Sequence, residues 1–347
     1  MKIYKKLFND IISAENLFSA WDKFKNGKRN KKDVQRFEWN LEENIFKLHR
    51  ELKSKTYKHS RYVSFNISDP KPRNIHKAQV RDRVLHHAVF QVLNPIFEAD
   101  FISASFSCRV DYGTHKGVEF LQNIIRKASK NNKVPCFALK CDIKKFFDTI
   151  DHNVLLNILK RRIKDNDAIW LLKEIISSFS SSYSLLDINK GVPIGNLTSQ
   201  LFANIYLNEF DRFTKQELKV KYYLRYTDDF LIISENKEYL EKIIPKTVSF
   251  LEEKLLLTIH KDKTKIRKIN QGIDFLGYVV FNKYKLVRTK TRKRIIKKFN
   301  AKIEEYNQGL ISKSSLLQSL QSYLGFLSHA NTYKIQHYFK NKFWFIG

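Results

Sequence analysis

Residues 225–233 have the sequence Arg225-Tyr226-Thr227-Asp228-Asp229-Phe230-Leu231-Ile232-Ile233, in which two carboxylates stand between apolar residues. The pattern predicts a strand, an acidic turn and a second strand over 222–233. Burying paired negative charge is costly unless cations neutralise it, so a turn at the surface would present Asp228 and Asp229 to a divalent metal ion. Hard oxygen ligands of this kind suit Mg²⁺. An ordinary Asp-Asp turn is the alternative interpretation.

A third carboxylate, Asp142, follows a stretch that alternates like a strand from Val134 to Cys141. Two-metal phosphoryl transfer needs carboxylates from separate elements that bracket two ions about 3.5–4 Å apart. We therefore predict a catalytic set of Asp142, Asp228 and Asp229, and a metal-binding set that adds Ile143. Asp148 and Asp151 are interpreted as surface and helix-capping residues, and one of Phe146 and Phe147 as core.

A glycine-containing segment from Gly191 to Gln200 precedes a predicted amphipathic helix over Leu201–Phe213. Glycine lets the main chain approach a ligand closely, and a helix N-terminus favours phosphate. By itself such a segment is also typical of a generic loop.

The charge balance indicates a polyanionic partner. Lysine and arginine total 64 against 35 acidic residues, a formal net charge of +29. Neutralising phosphates releases condensed counterions, so nucleic acid is the favoured partner. An AT-biased coding sequence, which raises the lysine content, and a basic membrane-surface protein are the alternatives.

The three cysteines, Cys108, Cys136 and Cys141, have no CxxC spacing and no neighbouring histidine ligands. They are interpreted as buried thiols of a reducing compartment. Neither a signal-like apolar run nor a membrane-spanning stretch is found, so we expect a soluble, cytoplasmic protein with no membrane partner.

Helical periodicity covers the N-terminal region, strand patterns flank a turn at 69–72, and the chain is basic and helical from Arg288 onward. Because helices and antiparallel strands mix without a βα rhythm, the predicted class is α+β.

The order of these motifs resembles that of the reverse transcriptases. Tyr226-Thr227-Asp228-Asp229 is similar to their YxDD box, and Asp142 with Phe146-Phe147 to their first carboxylate motif. Gly191 to Asn204 resembles the template–primer loop and helix, residues 257–264 the motif after the palm, and Phe275-Leu276-Gly277-Tyr278 the primer grip.

The resemblance implies a right-hand polymerase with an antiparallel palm sheet, fingers and a helical thumb. The expected divisions are 1–135 for the N-terminal helices and fingers, 136–285 for the palm with an insertion at about 152–190, and 286–347 for the thumb. It also implies two Mg²⁺ ions, with Mn²⁺ as a substitute, template RNA, a DNA primer strand and dNTPs.

Particular roles also come from the resemblance. Asp142 and Asp228 would bind the metal directly and Asp229 would support it. Phe147 would lie under the sugar and exclude a 2′ hydroxyl. The remaining substrate-binding residues would be Arg73 and Arg81 at the triphosphate, with Arg83 as a rival for the second, Lys263 near the leaving pyrophosphate, and Ile194 and Gly195 in the template–primer loop.

Ile194-Gly195 and Ser199-Gln200 stand where many bacterial reverse transcriptases carry Gln-Gly and Ser-Pro. With Gly113-Thr114-His115 and His329-Ala330-Asn331-Thr332, they resemble the enzymes of diversity-generating retroelements. That family copies a template-repeat RNA into cDNA with errors at adenines and works with a small helical accessory protein. An apolar Ile194 is consistent with low fidelity, because it offers no hydrogen bond near the nascent pair.

Other roles stay open at this point. No maturase or endonuclease extension is expected after the thumb, and no retron signature is found. A reverse transcriptase domesticated for antiphage defence is the main alternative. An RNA-copying RNA polymerase, or an inactive palm that only binds RNA, are further alternatives.

Overall fold

The computed structural model describes residues 2–69, 71–181 and 189–344. Pro70, in the predicted turn, and residues 182–188 and 345–347 lie outside this description.

Helices and strands are numbered along the chain. The helices are α1 Phe8–Ile12, α2 Ala14–Lys25, α3 Lys32–Trp39, α4 Leu41–Lys53, α5 Val80–Glu98, α6 Thr114–Ala128, α7 Phe146–Thr149, α8 His152–Arg162, α9 Asn166–Ser177, α10 Leu197–Arg212, α11 Lys237–Leu255, α12 Thr289–Asn307, α13 Lys313–Leu327 and α14 Tyr333–Trp344. The strands are β1 Val63–Ile67, β2 Arg73–Lys77, β3 Phe137–Asp142, β4 Tyr222–Tyr226, β5 Asp229–Ser234, β6 Lys265–Lys268, β7 Ile273–Phe275, β8 Tyr278–Val280 and β9 Lys285–Val287.

The N-terminal helices form where the apolar periodicity predicts them. Leu17, Trp21 and Phe24 recur at helical spacing on α2 and are almost completely buried. They belong to a core that extends through α5 to the central sheet and α10. Burying such apolar surface is the main stabilising term of this half of the molecule.

A four-stranded antiparallel sheet in the order β4-β5-β3-β6 occupies the centre. The predicted strand–turn–strand at 222–233 is confirmed as β4 and β5. The strand predicted from Val134 to Cys141 begins later, at Phe137, and ends on Asp142. The mixture of helices with antiparallel strands confirms the predicted α+β class.

The central helix α10 corrects one prediction, because it begins at Leu197 and not at Leu201. Asn196 precedes it in extended backbone, and Thr198 and Ser199 are nearly completely buried in its first turn. Their polar side chains are typical of a loop in sequence, yet here they form the buried start of a helix. The helix is buried over most of its circumference and is therefore less amphipathic than expected.

β1 and β2 form a separate two-stranded sheet, and the C-terminal helices pack against a three-stranded sheet of β7, β8 and β9. The Tyr278 ring of β8 stacks on Phe326 of α13 with ring centroids 4.9 Å apart, and its hydroxyl donates to the Phe326 carbonyl at 2.9 Å. The prediction that the chain is helical from about Arg288 is confirmed. None of the helices in the described part of the chain combines the length and the hydrophobicity of a transmembrane span.

The prediction that all three cysteines are buried is wrong for Cys108, which is exposed, whereas Cys136 and Cys141 are buried. Cys108 adopts a left-handed conformation with φ of 55° in the segment before α6. That irregular backbone turns its side chain to solvent, which no apolar periodicity could have indicated.

Candidate active site

The turn between β4 and β5 carries the acidic pair. Tyr226 and Asp229 are cross-strand partners, so Thr227 and Asp228 alone connect the two strands. Thr227 has φ of 53°, in the left-handed region that β-branched residues rarely adopt. The tight turn holds Asp228 at its tip and Asp229 at the first position of β5.

Sheet pairing brings Asp142 to this turn. Asp142, the last residue of β3, is the cross-strand partner of Asp229. Directly after it, the Ile143 amide donates to the Asp228 carbonyl at 3.3 Å. The Ile143 side chain is apolar and buried, so only its backbone carbonyl could supply a metal ligand. The backbone positions of three acidic residues from two separate elements thus lie together at one end of the sheet.

Burial and mutual repulsion raise the pKa values of the acidic pair. The pKa of Asp228 rises to about 6 because the carboxyl group is desolvated and lies near Asp229 and Asp142. Desolvation also raises the pKa of Asp229, against the opposing effect of the Lys140 ammonium, whose Nζ lies 3.8 Å from Asp229 Oδ1. Such a cluster of like charges favours binding of a cation.

Lysine side chains surround the carboxylates. Lys263 Nζ donates to Asp142 Oδ1 at 2.7 Å, while Lys140 donates to the Asp274 carbonyl at 3.0 Å. Both lysines line a cavity of about 310 Å³ with Asp142 and Asp229; its other basic lining residues are Lys71, Lys265, Arg267 and Arg288. Lys140 was not among the predicted site residues, although it stands two residues before Asp142 and therefore on the same face of β3.

The donor set fits divalent metal ions in residue type and backbone placement. Asp142, Asp228 and Asp229 supply hard oxygen ligands whose charges repel one another. Over the described ranges, no three His, Cys, Asp or Glu side chains converge into a ready-made ligand set. Lys263 instead neutralises Asp142, so a metal ion at this carboxylate would have to displace the ammonium group.

Phe146 and Phe147 separate into a core residue and a lining residue. Phe146 is buried, whereas Phe147 is half-buried, and their rings meet edge to face with centroids 5.4 Å apart. The Phe147 carbonyl accepts a hydrogen bond from the Val192 amide at 2.8 Å, which ties it to the glycine segment. Phe147 is therefore the aromatic residue of the pair that remains accessible.

The glycine segment contacts the β1–β2 hairpin. The Ile194 carbonyl accepts from the His76 amide at 3.3 Å, and Asn196 Nδ2 donates to the His76 carbonyl at 3.0 Å. Gly195 has φ of 109°, and an added Cβ would lie 3.1 Å from the Ile75 side chain. Ile194 is half-buried and Gly195 exposed beside this hairpin.

The arginines predicted to bind triphosphate are in different environments. Arg73 is exposed at the start of β2. Arg81 pairs with Glu51 at 2.7 Å and lies over the Tyr57 ring, away from the carboxylate cavity. The rival Arg83 pairs with Asp33 at 2.8 Å and lies over Phe24. The structure therefore does not bring Arg81 or Arg83 together with the three aspartates.

The segment predicted as the primer grip forms the β7–β8 hairpin. Phe275 and Tyr278 are paired and buried, and Leu276 and Gly277 form the turn with φ of 50° and 90°. Positive φ at both central residues is the geometry of a tight hairpin turn. The Gly277 carbonyl accepts from the Arg288 amide at 2.9 Å, which joins this hairpin to the start of the C-terminal helices.

The sheet, the three carboxylates and the basic cavity define a protein of the template-dependent polymerase class. Residues 58–280, well over half of the chain, match the family model described as reverse transcriptase (RNA-dependent DNA polymerase). The chain belongs to this family, and its enzyme class is RNA-directed DNA polymerase, as predicted.

Curated relatives share part of the chain. The protein YkfC of Escherichia coli (strain K12) is 28% identical over 257 residues, which cover 65% of this chain and 67% of YkfC. The group II intron-encoded protein LtrA of Lactococcus lactis subsp. cremoris is 24% identical over 303 residues, which cover 68% of this chain and 49% of LtrA. The chain thus spans two thirds of YkfC and about half of LtrA.

Among solved structures, apo telomerase from Candida tropicalis, truncated from its C-terminal domain, has a TM-score of 0.48 and 16% identity. The match covers 71% of this chain and 60% of the telomerase chain.

Proposed function

We propose that the chain copies a retroelement template RNA into cDNA by two-metal phosphoryl transfer from dNTPs. The observation that carries this proposal is the cross-strand pairing of Asp142 with Asp229, next to the turn that presents Asp228. Three carboxylates on two elements are what a pair of divalent ions requires. The proposed divisions remain fingers to residue 135, palm to 285 and thumb beyond.

The metal ions, when bound, would stabilise charge on the attacking 3′ oxygen and on the leaving phosphate. Asp142 and Asp228, with the Ile143 carbonyl, would hold them, and Asp229 would support the site and the primer end. Lys263, now on Asp142, would turn to the departing pyrophosphate, where an ammonium group stabilises negative charge. Positioning and electrostatics, rather than a covalent intermediate, would thus supply the rate enhancement.

The remaining site residues would select and hold the substrates. Phe147 would meet the sugar and exclude a 2′ hydroxyl, so that DNA is the product. Arg73, which is exposed on β2, would bind the triphosphate; Arg81 would first have to leave Glu51. The β7–β8 hairpin would support the primer end.

For the biological role we propose the diversity-generating type, with a small helical accessory protein. Its support is the resemblance in Ile194-Gly195 and in the segments around His115 and His329. The rings of these two histidines stack with centroids 3.5 Å apart, so the two segments meet in the fold. An error-prone cDNA product is the corresponding activity.

Primer extension on an RNA template tests the polymerase proposal. A DNA primer is annealed to a defined RNA and incubated with Mg²⁺ and either dNTPs or NTPs. Extension with dNTPs that exceeds extension with NTPs by at least tenfold is expected. Equal or preferential use of NTPs would favour an RNA-copying RNA polymerase, and binding without extension an inactive palm.

A further inference from the structure

A completely buried ion pair lies behind the turn that carries Asp228. The Arg225 guanidinium donates from Nη2 to Asp211 Oδ2 at 2.6 Å and from Nε to Oδ1 at 2.8 Å, and both side chains are 0% exposed. The Tyr223 hydroxyl donates to the same Oδ1 at 2.7 Å. A bidentate pair with further hydrogen bonds is the arrangement in which two buried charges are tolerated.

The same guanidinium reaches the catalytic turn. Arg225 Nη1 donates to the Thr227 carbonyl at 3.1 Å, and Nη2 donates to Ser105 Oγ at 3.0 Å. The Thr227 hydroxyl donates to Ser107 Oγ at 2.6 Å. The left-handed residue directly before Asp228 is therefore held at its carbonyl and at its side chain.

Helix α10 and the segment before α6 anchor this arrangement. The Arg225 amide donates to the Ala104 carbonyl, and the Phe106 amide to the Arg225 carbonyl, both at 2.9 Å. Asn204 Nδ2 of α10 donates to the Ser107 carbonyl at 2.8 Å. The turn is thus connected to two elements besides the strands that it joins.

We propose that Arg225 and Asp211 are positioning residues that set the direction of Asp228 toward Asp142. The inference rests on the proposed function and deepens it. Asp211 fixes the plane of the Arg225 guanidinium by its two hydrogen bonds. Held in that plane, the guanidinium donates to the Thr227 carbonyl and so stabilises the strained left-handed backbone of Thr227. An ion pair that served stability alone could be replaced by neutral residues without loss of turnover; a positioning pair could not.

The test is the double substitution Arg225→Met with Asp211→Asn. It removes both charges together, while the amide oxygen that replaces the carboxylate at position 211 still accepts from the Tyr223 hydroxyl. The matched control is Arg162→Met with Asp100→Asn, a largely buried ion pair between the end of α8 and the segment after α5. Arg162 also donates to the Ile96 carbonyl at 2.8 Å, and Asp100 Oδ2 lies 3.5 Å from Arg212 Nη2. Thermal unfolding, template–primer affinity, kcat, the dNTP KM and the Mg²⁺ concentration for half-maximal activity are measured for each protein.

For the double variant we expect a folded protein with template–primer affinity within about twofold of the parent. Its kcat should fall at least tenfold and its Mg²⁺ midpoint rise severalfold, because small misplacements of reacting groups cost about 10²-fold in rate. The control pair should keep the parent kcat. A double variant with parent-like kcat and Mg²⁺ midpoint, or an equal loss in the control, would overturn the inference. A parent enzyme that incorporates no dNTP would count against the proposed function instead.

A milder variant covers the case in which the double variant does not fold. Arg225→Lys keeps a positive charge beside Asp211, but a lysine ammonium lacks the planar fork that reaches Asp211 and the Thr227 carbonyl together. We expect its kcat to fall by about three- to tenfold and its Mg²⁺ midpoint to rise, with template–primer affinity close to that of the parent. Parent-like kcat and Mg²⁺ midpoint in a folded Arg225→Lys protein would overturn the inference.

Discussion

Lys263 Nζ and Asp142 Oδ1 lie 2.7 Å apart, so the first carboxylate of the site forms an ion pair with a lysine. Lys263 is 45% exposed and belongs to a short 3₁₀ turn, Lys261–Lys263. Its ammonium group is therefore free to leave without disturbing the core. Under the proposed function, a metal ion at Asp142 would displace the lysine, which would then be available to another anion.

Asp142→Asn should abolish dNTP incorporation and leave RNA affinity largely intact. The amide keeps the volume of the side chain but loses the charge that would hold a divalent ion. We expect a loss of at least hundredfold in primer extension, with Kd for template–primer within about twofold by filter binding. Parent-like activity of this variant would show that the metal assignment is wrong.

Lys263→Met should separate two effects of the lysine. Removing a competitor for Asp142 should lower the Mg²⁺ midpoint by about two- to fivefold, because a partly exposed ion pair contributes up to about 1 kcal/mol. At saturating Mg²⁺ the maximal rate should nevertheless fall, since the leaving pyrophosphate loses a cation. Mg²⁺ titrations of primer extension measure both quantities.

The control for this lysine is Lys261→Met, at an exposed position of the same 3₁₀ turn. Lys261→Met should change neither the Mg²⁺ midpoint nor the maximal rate. If Lys263→Met had the same small effect on both, Lys263 would not be part of the site.

Local patterns were sufficient to predict the elements that carry the site. The strand–turn–strand around Asp228 and the strand end at Asp142 follow from apolar alternation broken by acidic residues. The register that pairs Asp142 with Asp229 could not be predicted, because side-chain alternation does not specify which residues face each other across two strands.

Buried charges were the main feature that sequence reasoning missed. Arg225 lies in an otherwise apolar strand and Asp211 in a largely buried helix, so each would be costly to bury alone. A charged residue inside a core pattern could have indicated a partner, but not which one. Likewise, the pairing of Arg81 with Glu51 depends on contacts 30 residues apart, which no local pattern records.

The raised pKa of Asp228, about 6, predicts a stability that falls as pH rises in metal-free buffer. Between about pH 4, its value when unfolded, and pH 6, the folded state holds a proton that the unfolded state has lost. The contribution of Asp228 to the free energy of unfolding should therefore decrease between about pH 4 and pH 6 and stay nearly constant above pH 6. Asp228→Asn should reduce that slope, to which Asp229 also contributes because its own pKa is raised, and should add about 1–3 kcal/mol to the free energy of unfolding at pH 7.

Urea unfolding at a series of pH values, with EDTA present, measures this effect. Asp262→Asn serves as the control, because that carboxylate is 92% exposed and should give the parent profile. An Asp228 variant with the parent's pH slope would contradict the electrostatic account of the turn.

Phe147→Ala should relax the choice of sugar. Removing the half-buried ring makes room for a 2′ hydroxyl, so the ratio of kcat/KM for NTPs to that for dNTPs should rise at least tenfold, which corresponds to about 1.4 kcal/mol. Single-nucleotide extension with matched dNTP and NTP series gives the ratio. The control is Phe146→Leu, which changes the buried neighbour. It should lower the free energy of unfolding by about 1 kcal/mol and keep the parent ratio of kcat/KM values. If only Phe146→Leu changed that ratio, Phe146 and not Phe147 would contact the sugar.

Ile194→Gln should change the error spectrum of the cDNA. The parent is expected to misincorporate mainly opposite template adenines, because the apolar side chain offers no hydrogen bond beside the nascent pair. Ile194 is half-buried, and its backbone is held by the His76 amide, so a glutamine side chain could project from the same place. Deep sequencing of products from one RNA template compares the parent, Ile194→Gln and the apolar control Ile194→Leu. Errors opposite template adenines should fall several-fold only in Ile194→Gln. Identical error spectra in all three proteins would show that Ile194 does not determine fidelity, and would favour a biological role other than sequence diversification.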